Sequence, residues 1–150
     1  HVMVTYWRLN MESLQVSDYM NHHPVKLTED MTVAEAVERL LANNQTGGAV
    51  QNARGQVTGF LSEQDCLKMM IESSYYREQV CRVKDIMQTT VSAVKPWNSV
   101  LEVAQRLINE RPRVFPVIDD DGALVGVINR AAVLKAIDKQ LQSGYDKMAV

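Results

Sequence analysis

The apolar positions of the chain change period several times, and the changes come twice in the same order. Val33, Ala36, Val37, Leu40 and Leu41 fall at i, i+3, i+4, i+7 and i+8, as do Val100, Val103, Ala104, Leu107 and Ile108. This is the spacing of a helix buried along one side. Each of these helices opens on a hydroxyl with a glutamate three positions on, Thr32-Val33-Ala34-Glu35 and Ser99-Val100-Leu101-Glu102. Both predict capping boxes, in which the hydroxyl accepts from a free backbone N–H and the glutamate reaches back to another. Short extended pieces precede them, Pro24 to Leu27 and Val91 to Val94. Two apolar runs follow each helix around a glycine turn: Gly48 to Gln51 and Val57 to Leu61 through Asn52-Ala53-Arg54-Gly55, then Val114 to Ile118 and Leu124 to Ile128 through Asp119-Asp120-Asp121-Gly122. These predict hairpins. A second helix closes each unit, from about Glu63 to Ile71 and from about Arg130 to Leu141.

The two series are one sequence written twice. With a shift of 67 and no gap, residues 16–70 lie on residues 83–137, and twelve pairs are identical, among them Asp18/Asp85, Met20/Met87, Arg39/Arg106, Gly55/Gly122 and Gly59/Gly126. Duplication explains this economically, and the fold class is α+β: two β-α-β-β-α repeats packed about a pseudo-twofold axis. A unit of about 55 residues has a thin core, so two units joined by the short span from Glu72 to Arg82 should pack face to face and leave a pair of related clefts between them. The expected divisions are an N-terminal extension (1–13), a first repeat (14–72), a linker (73–82), a second repeat (83–141) and a C-terminal tail (142–150). His1 to Asn10 shows neither repeat nor clear periodicity, and Met11 suits a natural start.

Composition narrows the function classes. A net charge of −2 gives no global electrostatic reason to bind nucleic acid or an anionic membrane. No apolar run approaches the roughly 20 residues that span a bilayer, and no secretory signal opens the chain. Cys66 and Cys81 make a poor disulfide framework, so a reduced, cytoplasmic setting is expected, with Cys66 a buried small hydrophobe on a helix. His22 and His23 are adjacent, face opposite ways in an extended segment and cannot both chelate one metal. Neither cysteine has a partner at metal-ligand spacing, and no nucleophile turn supports a Ser-His-Asp arrangement. The reading is therefore a chain without a metal and without catalysis.

The chemistry concentrates in Gly59-Phe60-Leu61-Ser62-Glu63-Gln64-Asp65 and its counterpart Gly126-Val127-Ile128-Asn129-Arg130-Ala131-Ala132, which keep the glycine and the apolar pair but change the polar groups. With the repeat order, the Asp-x-Met of Asp18-Tyr19-Met20 and Asp85-Ile86-Met87, and Phe115-Pro116-Val117-Ile118-Asp119 with its Asp-Gly turn, these residues resemble a tandem pair of cystathionine-β-synthase (CBS) domains, a Bateman module. The resemblance covers about residues 14–141. It implies a stand-alone, non-catalytic module that binds an adenosine-containing ligand, AMP, ADP, ATP or S-adenosylmethionine, between its repeats and regulates a protein yet to be identified. Carried over position by position, the site of Leu61, Ser62 and Asp65 is completed by Gln88, Val91, Ala93, Pro112, Arg113 and Val114. The symmetry-related cleft, with Asn129 and Ala132 beside Asn21, Pro24, Lys26 and Thr46, departs from the family pattern and is expected to be degenerate.

The same residues carry physical arguments of their own. A helix start favours a phosphate, Ser62 adds a donor, and the Asp65 carboxylate suits the two hydroxyls of a ribose. Equally, Ser62-x-x-Asp65 is a helix cap that needs no ligand, and Asn129 caps the second copy alone. Arg111-Pro112-Arg113 reads either as an anion contact or as a solvated loop, and Thr46-Gly47-Gly48 lacks the longer pattern of a phosphate-cradling loop. Glu63 in the first helical turn opposes a phosphate and Arg113 offsets it, so a monophosphate or diphosphate is expected to be preferred over ATP. Leu67, Met70 and Ile71 in one repeat, with Leu134 and Ile137 in the other, form helix faces of the kind that pair across a flat homodimer in the family. Two other classes remain: a ligand-independent dimerisation or protein-interaction module, which the degenerate second copy favours, and an enzyme of the inosine-monophosphate dehydrogenase kind, for whose barrel of about 250 residues this chain has no room.

Overall fold

The computed structural model describes residues 14–72 and 80–148; the expected N-terminal extension and most of the expected linker lie outside them. The first repeat runs through a short 3-10 turn at Val16–Asp18, β1 (Lys26–Thr28), α1 (Val33–Ala42), β2 (Gly47–Gln51), β3 (Val57–Ser62) and α2 (Glu63–Glu72). The second runs through α3 (Val83–Ile86), α4 (Val100–Glu110), β4 (Val114–Ile118), β5 (Leu124–Asn129) and α5 (Arg130–Met148). Strand β2 pairs parallel with β1 and antiparallel with β3, whereas β4 and β5 form an antiparallel hairpin. The extended piece predicted at Val91 to Val94 makes only a single parallel bridge, Val94 to Val117. Pro116 stands in β4 where β2 has Ala49 and has no N–H with which to lengthen that ladder.

Local chemistry repeats as closely as topology. Thr32 Oγ1 and Ser99 Oγ each accept from the glutamate N–H three residues on, at 3.1 Å. The reciprocal half of each predicted capping box is not formed among the described residues, and Asn98 donates to Glu102 instead. Asn52 Oδ1 accepts from the N–H groups of Arg54 and Gln56, and Asp119 Oδ1 from those of Asp121 and Ala123. Each turn then closes on a left-handed glycine, Gly55 at φ 77° and Gly122 at φ 88°. Helix α5 continues to Met148, past the end expected near Leu141.

Two apolar cores form, and each borrows from the other repeat. The first holds Leu27, Leu40, Val50, Leu61 and Cys66 together with Val83; the second holds Val100, Val103, Phe115, Val117 and Ile128 together with Val16. The opening segment of each repeat is thus packed into the other. Backbone bonds lock the exchange: Val83 N–H donates to Met31 O at 2.8 Å, and Val16 N–H to Asn98 O at 2.9 Å. Phe60 and Gln88 exchange two backbone hydrogen bonds, as do their equivalents Val127 and Asn21. The bridge between Gln56 and Ala123, residues 67 apart, joins two equivalent positions and so marks the pseudo-twofold axis.

This crossing explains why the Asp-x-Met segments and the glycines recur together. Met87 lies over Gly59 and Met20 over Gly126, and a Cβ on either glycine would come 2.9 Å from the carbonyl of Gln88 or Asn21 respectively. Three expectations about faces need correction. Leu41 and Ile108, placed by the periodicity on the buried side, are 72% and 73% exposed because each sits in the last turn of its helix, beyond the edge of the core. Ile137, expected on an exposed face, packs against the second core.

Candidate functional site

The crossing brings the first turn of α2 against the segment that enters the second repeat, and a cavity of about 420 Å³ opens there. Of the residues expected at a ligand site, Ser62, Gln88, Pro112, Arg113 and Val114 line it, together with Phe60, Glu63, Thr90, Ser92 and Arg111. Thr46, expected at the other cleft, lines this one. Strand alternation sorts the remainder. On β3, Phe60 and Ser62 face the cavity while Leu61, between them, is buried in the first core. Thr90 and Ser92 face it while Val91 and Ala93 do not. Arg106 ties the Ala93 carbonyl to α4 at 2.6 Å, and its equivalent Arg39 ties the Lys26 carbonyl to α1 at 2.9 Å. Arg106 also lies 4.6 Å over the Phe115 ring and, by hydrogen-bonding Glu110, holds that carboxyl below its usual range.

Asp65 sits at the edge of this arrangement rather than in the cavity wall. Its Oδ2 accepts from Ser62 N–H at 3.2 Å, Ser62 Oγ at 2.8 Å and Gln88 Nε2 at 3.2 Å, while its own N–H donates to Ser62 Oγ at 3.1 Å. The helix cap is therefore formed in full, and a side chain from the opposite repeat is drawn into it. The other face of Asp65 borders a hollow of about 630 Å³ with Lys68, Glu72 and Asp85. Across the cavity, Arg113 Nη1 meets Glu63 Oε1 at 2.9 Å, an ion pair between repeats. Arg111 is held in the left-handed region at φ 55°, a conformation that costs a side-chain-bearing residue about 1–2 kcal/mol.

The symmetry-related cleft is smaller, about 200 Å³, with Asn21, Gln45, Val114, Asn129 and Ala132 in its wall. Asn129 Oδ1 accepts from Ala132 N–H at 2.8 Å and caps α5 alone. Pro24 lies at a separate minor recess, and Lys26 is exposed on β1. Thr90 and Ser92 are the cavity residues that sequence reasoning missed. The signal was available in the alternation from Gln88, since an extended segment sends residues 88, 90 and 92 to one side. No helix among the described residues is long and apolar enough to cross a membrane.

Comparison with known proteins places these features in a family. The CBS domain profile matches residues 16–72 and again residues 83–139. The chloroplastic CBS domain-containing protein CBSX1 of Arabidopsis thaliana is 29% identical over 147 residues, covering 81% of this chain and 61% of that protein. Among solved structures, CBSX2 of Arabidopsis thaliana in complex with AMP superposes with a TM-score of 0.74 at 23% identity, over 85% of this chain and 98% of that one. The CBS domain pair of protein MJ0100, in complex with 5′-methylthioadenosine and S-adenosyl-L-methionine, gives 0.72 at 18% identity, over 84% and 97%. The chain spans 94% of one archaeal relative but only 15% to 34% of several longer ones, which include enzymes and transport proteins.

Proposed function

Because the chain belongs to the CBS domain family, we propose that it is a non-catalytic regulatory module whose ligand is an adenosine nucleotide, AMP or ADP in preference to ATP, held in the cleft at the start of α2. One observation carries the reading: the cleft between the repeats has a volume of about 420 Å³, within the roughly 300–1,000 Å³ of small-molecule sites, and sits at a helix start beside two arginines. The second cleft, at about 200 Å³, falls below that range, so a single ligand per chain is expected. AMP in CBSX2, and 5′-methylthioadenosine with S-adenosyl-L-methionine in the MJ0100 pair, support the ligand class.

The choice among phosphates follows from the charges at the wall. A phosphate at the α2 start competes with Glu63 for Arg113, and Arg111 supplies a second cation, so two arginines face one glutamate. That balance suits a short, low-charge phosphate and disfavours a triphosphate tail. Ribose hydroxyls donate to Asp65, whose Oδ1 has no hydrogen-bond partner among the described residues. The test is calorimetric titration with AMP, ADP, ATP and S-adenosylmethionine. AMP or ADP is expected to bind tightest with one site per chain; no heat with any of the four overturns the reading, and tighter binding of ATP than of AMP overturns the charge argument.

A further inference from the structure

The closing helix of the repeat was duplicated with its apolar seam kept and its charge reversed. Residues 63–72 carry three carboxylates, Glu63, Asp65 and Glu72, against Lys68, a net charge of −2. The equivalent residues 130–139 carry three cations, Arg130, Lys135 and Lys139, against Asp138, a net charge of +2. The reversal falls on matched positions, Glu63 with Arg130 and Glu72 with Lys139. Between them the seam is retained: Leu67 and Leu134, also equivalents, are 56% and 70% exposed. Helices α1 and α4, packed beside α2 and α5, end on the exposed Leu41 and Ile108. Glu72, Arg130 and Lys139 form no ion pair among the described residues.

We propose that each face is covered by a second copy of this chain, with α2 docked on the partner's α5 and α5 on the partner's α2. Pairing like with like would set acidic ends against acidic ends on α2 and basic against basic on α5. Pairing unlike helices sets glutamates against cations whichever way the two helices run, because both ends of α2 are acidic and both ends of the matching stretch of α5 are basic. The apolar seam supplies the affinity, and the charges select the pairing by penalising the alternative. Two copies of the unlike contact close a twofold dimer and leave neither face open. This assembly is independent of nucleotide binding, so either proposal survives failure of the other.

The test is sedimentation and light scattering of the full chain at low micromolar concentration, without nucleotide. The expected wild-type mass is twice the 16.9 kDa of one chain. Arg130→Glu with Lys139→Glu makes both helices acidic, and Glu63→Lys with Glu72→Lys makes both basic. Each double variant should raise the dimer Kd at least about tenfold, the summed effect of several surface ion pairs turned repulsive, and an equimolar mixture of the two should recover the dimer. Recovery also shows that both variants fold. A monomeric wild type overturns the proposal, as does a dimer that either double reversal leaves intact, since like-with-like pairing would not register the change. A mixture that stays dissociated while each variant melts like the wild type overturns it too.

Discussion

Replacing Asp65 with alanine separates the two roles that its carboxylate can serve. In the structure Oδ2 accepts three hydrogen bonds, two from Ser62 and one from Gln88, so the substitution opens the capping box and releases a side chain that links the repeats. Loss of such a cap costs about 0.5–2 kcal/mol. For a chain of this size, each 1 kcal/mol lowers Tm by about 2–4 °C, so a fall of a few degrees is expected. The ribose contribution is separate. Charge-assisted bonds from ligand hydroxyls are worth about 1.5–3 kcal/mol each, and one lost bond already exceeds the 1.4 kcal/mol that makes a decade in Kd. Calorimetry on wild type and Asp65→Ala should therefore show AMP affinity down at least tenfold, with a small fall in Tm. Conversely, Ala132→Asp with Asn129→Ser should strengthen binding at the second cleft if its scaffold accepts a ligand. A lower Tm with unchanged AMP affinity and stoichiometry refutes the ribose role and leaves Asp65 a cap.

Two predictions concern backbone positions. Gly59→Ala places a methyl 2.9 Å from the Gln88 carbonyl, which is held by the Phe60 N–H, so it should destabilise by about 1–3 kcal/mol in a denaturant titration; Gly144→Ala, in helix α5 with nothing within 4 Å, should instead stabilise by about 0.5–1 kcal/mol. Equal effects at the two sites would undo the packing account of Gly59. Arg111→Gly relieves a left-handed residue worth about 1 kcal/mol and removes a cavity cation, so Tm should rise while AMP binding weakens; a rise in both would exclude Arg111 from phosphate binding.

Much of the fold was legible because duplication supplies its own control. The hairpin turns are an example: Asn52 and Asp119 differ in sequence, yet both precede a glycine at the same offset and both accept the same two N–H groups. The exchange of opening segments was not legible, and the reason is symmetry. Met20, Gly59, Met87 and Gly126 recur at one offset, and that recurrence is satisfied equally by Met20 on Gly59 or by Met20 on Gly126. In a repeated sequence, contacts within a unit and contacts across units leave the same pattern. Only a difference between the copies breaks the degeneracy, and the chain's chemistry lies in such differences. Ser62 and Asp65 against Asn129 and Ala132 make unequal clefts from one scaffold; Glu72 against Lys139 makes unlike faces from one helix. The side-chain alternation that puts Thr90 and Ser92 in the cavity wall was available locally, but it acquires meaning only once Gln88 is known to pair with Phe60 of the other repeat. Because that pairing and the Gln88 to Asp65 bond both cross the seam, a ligand that engages Asp65 acts on the junction between the repeats rather than within either one, which is the mechanical requirement for occupancy of one cleft to be felt by the whole module.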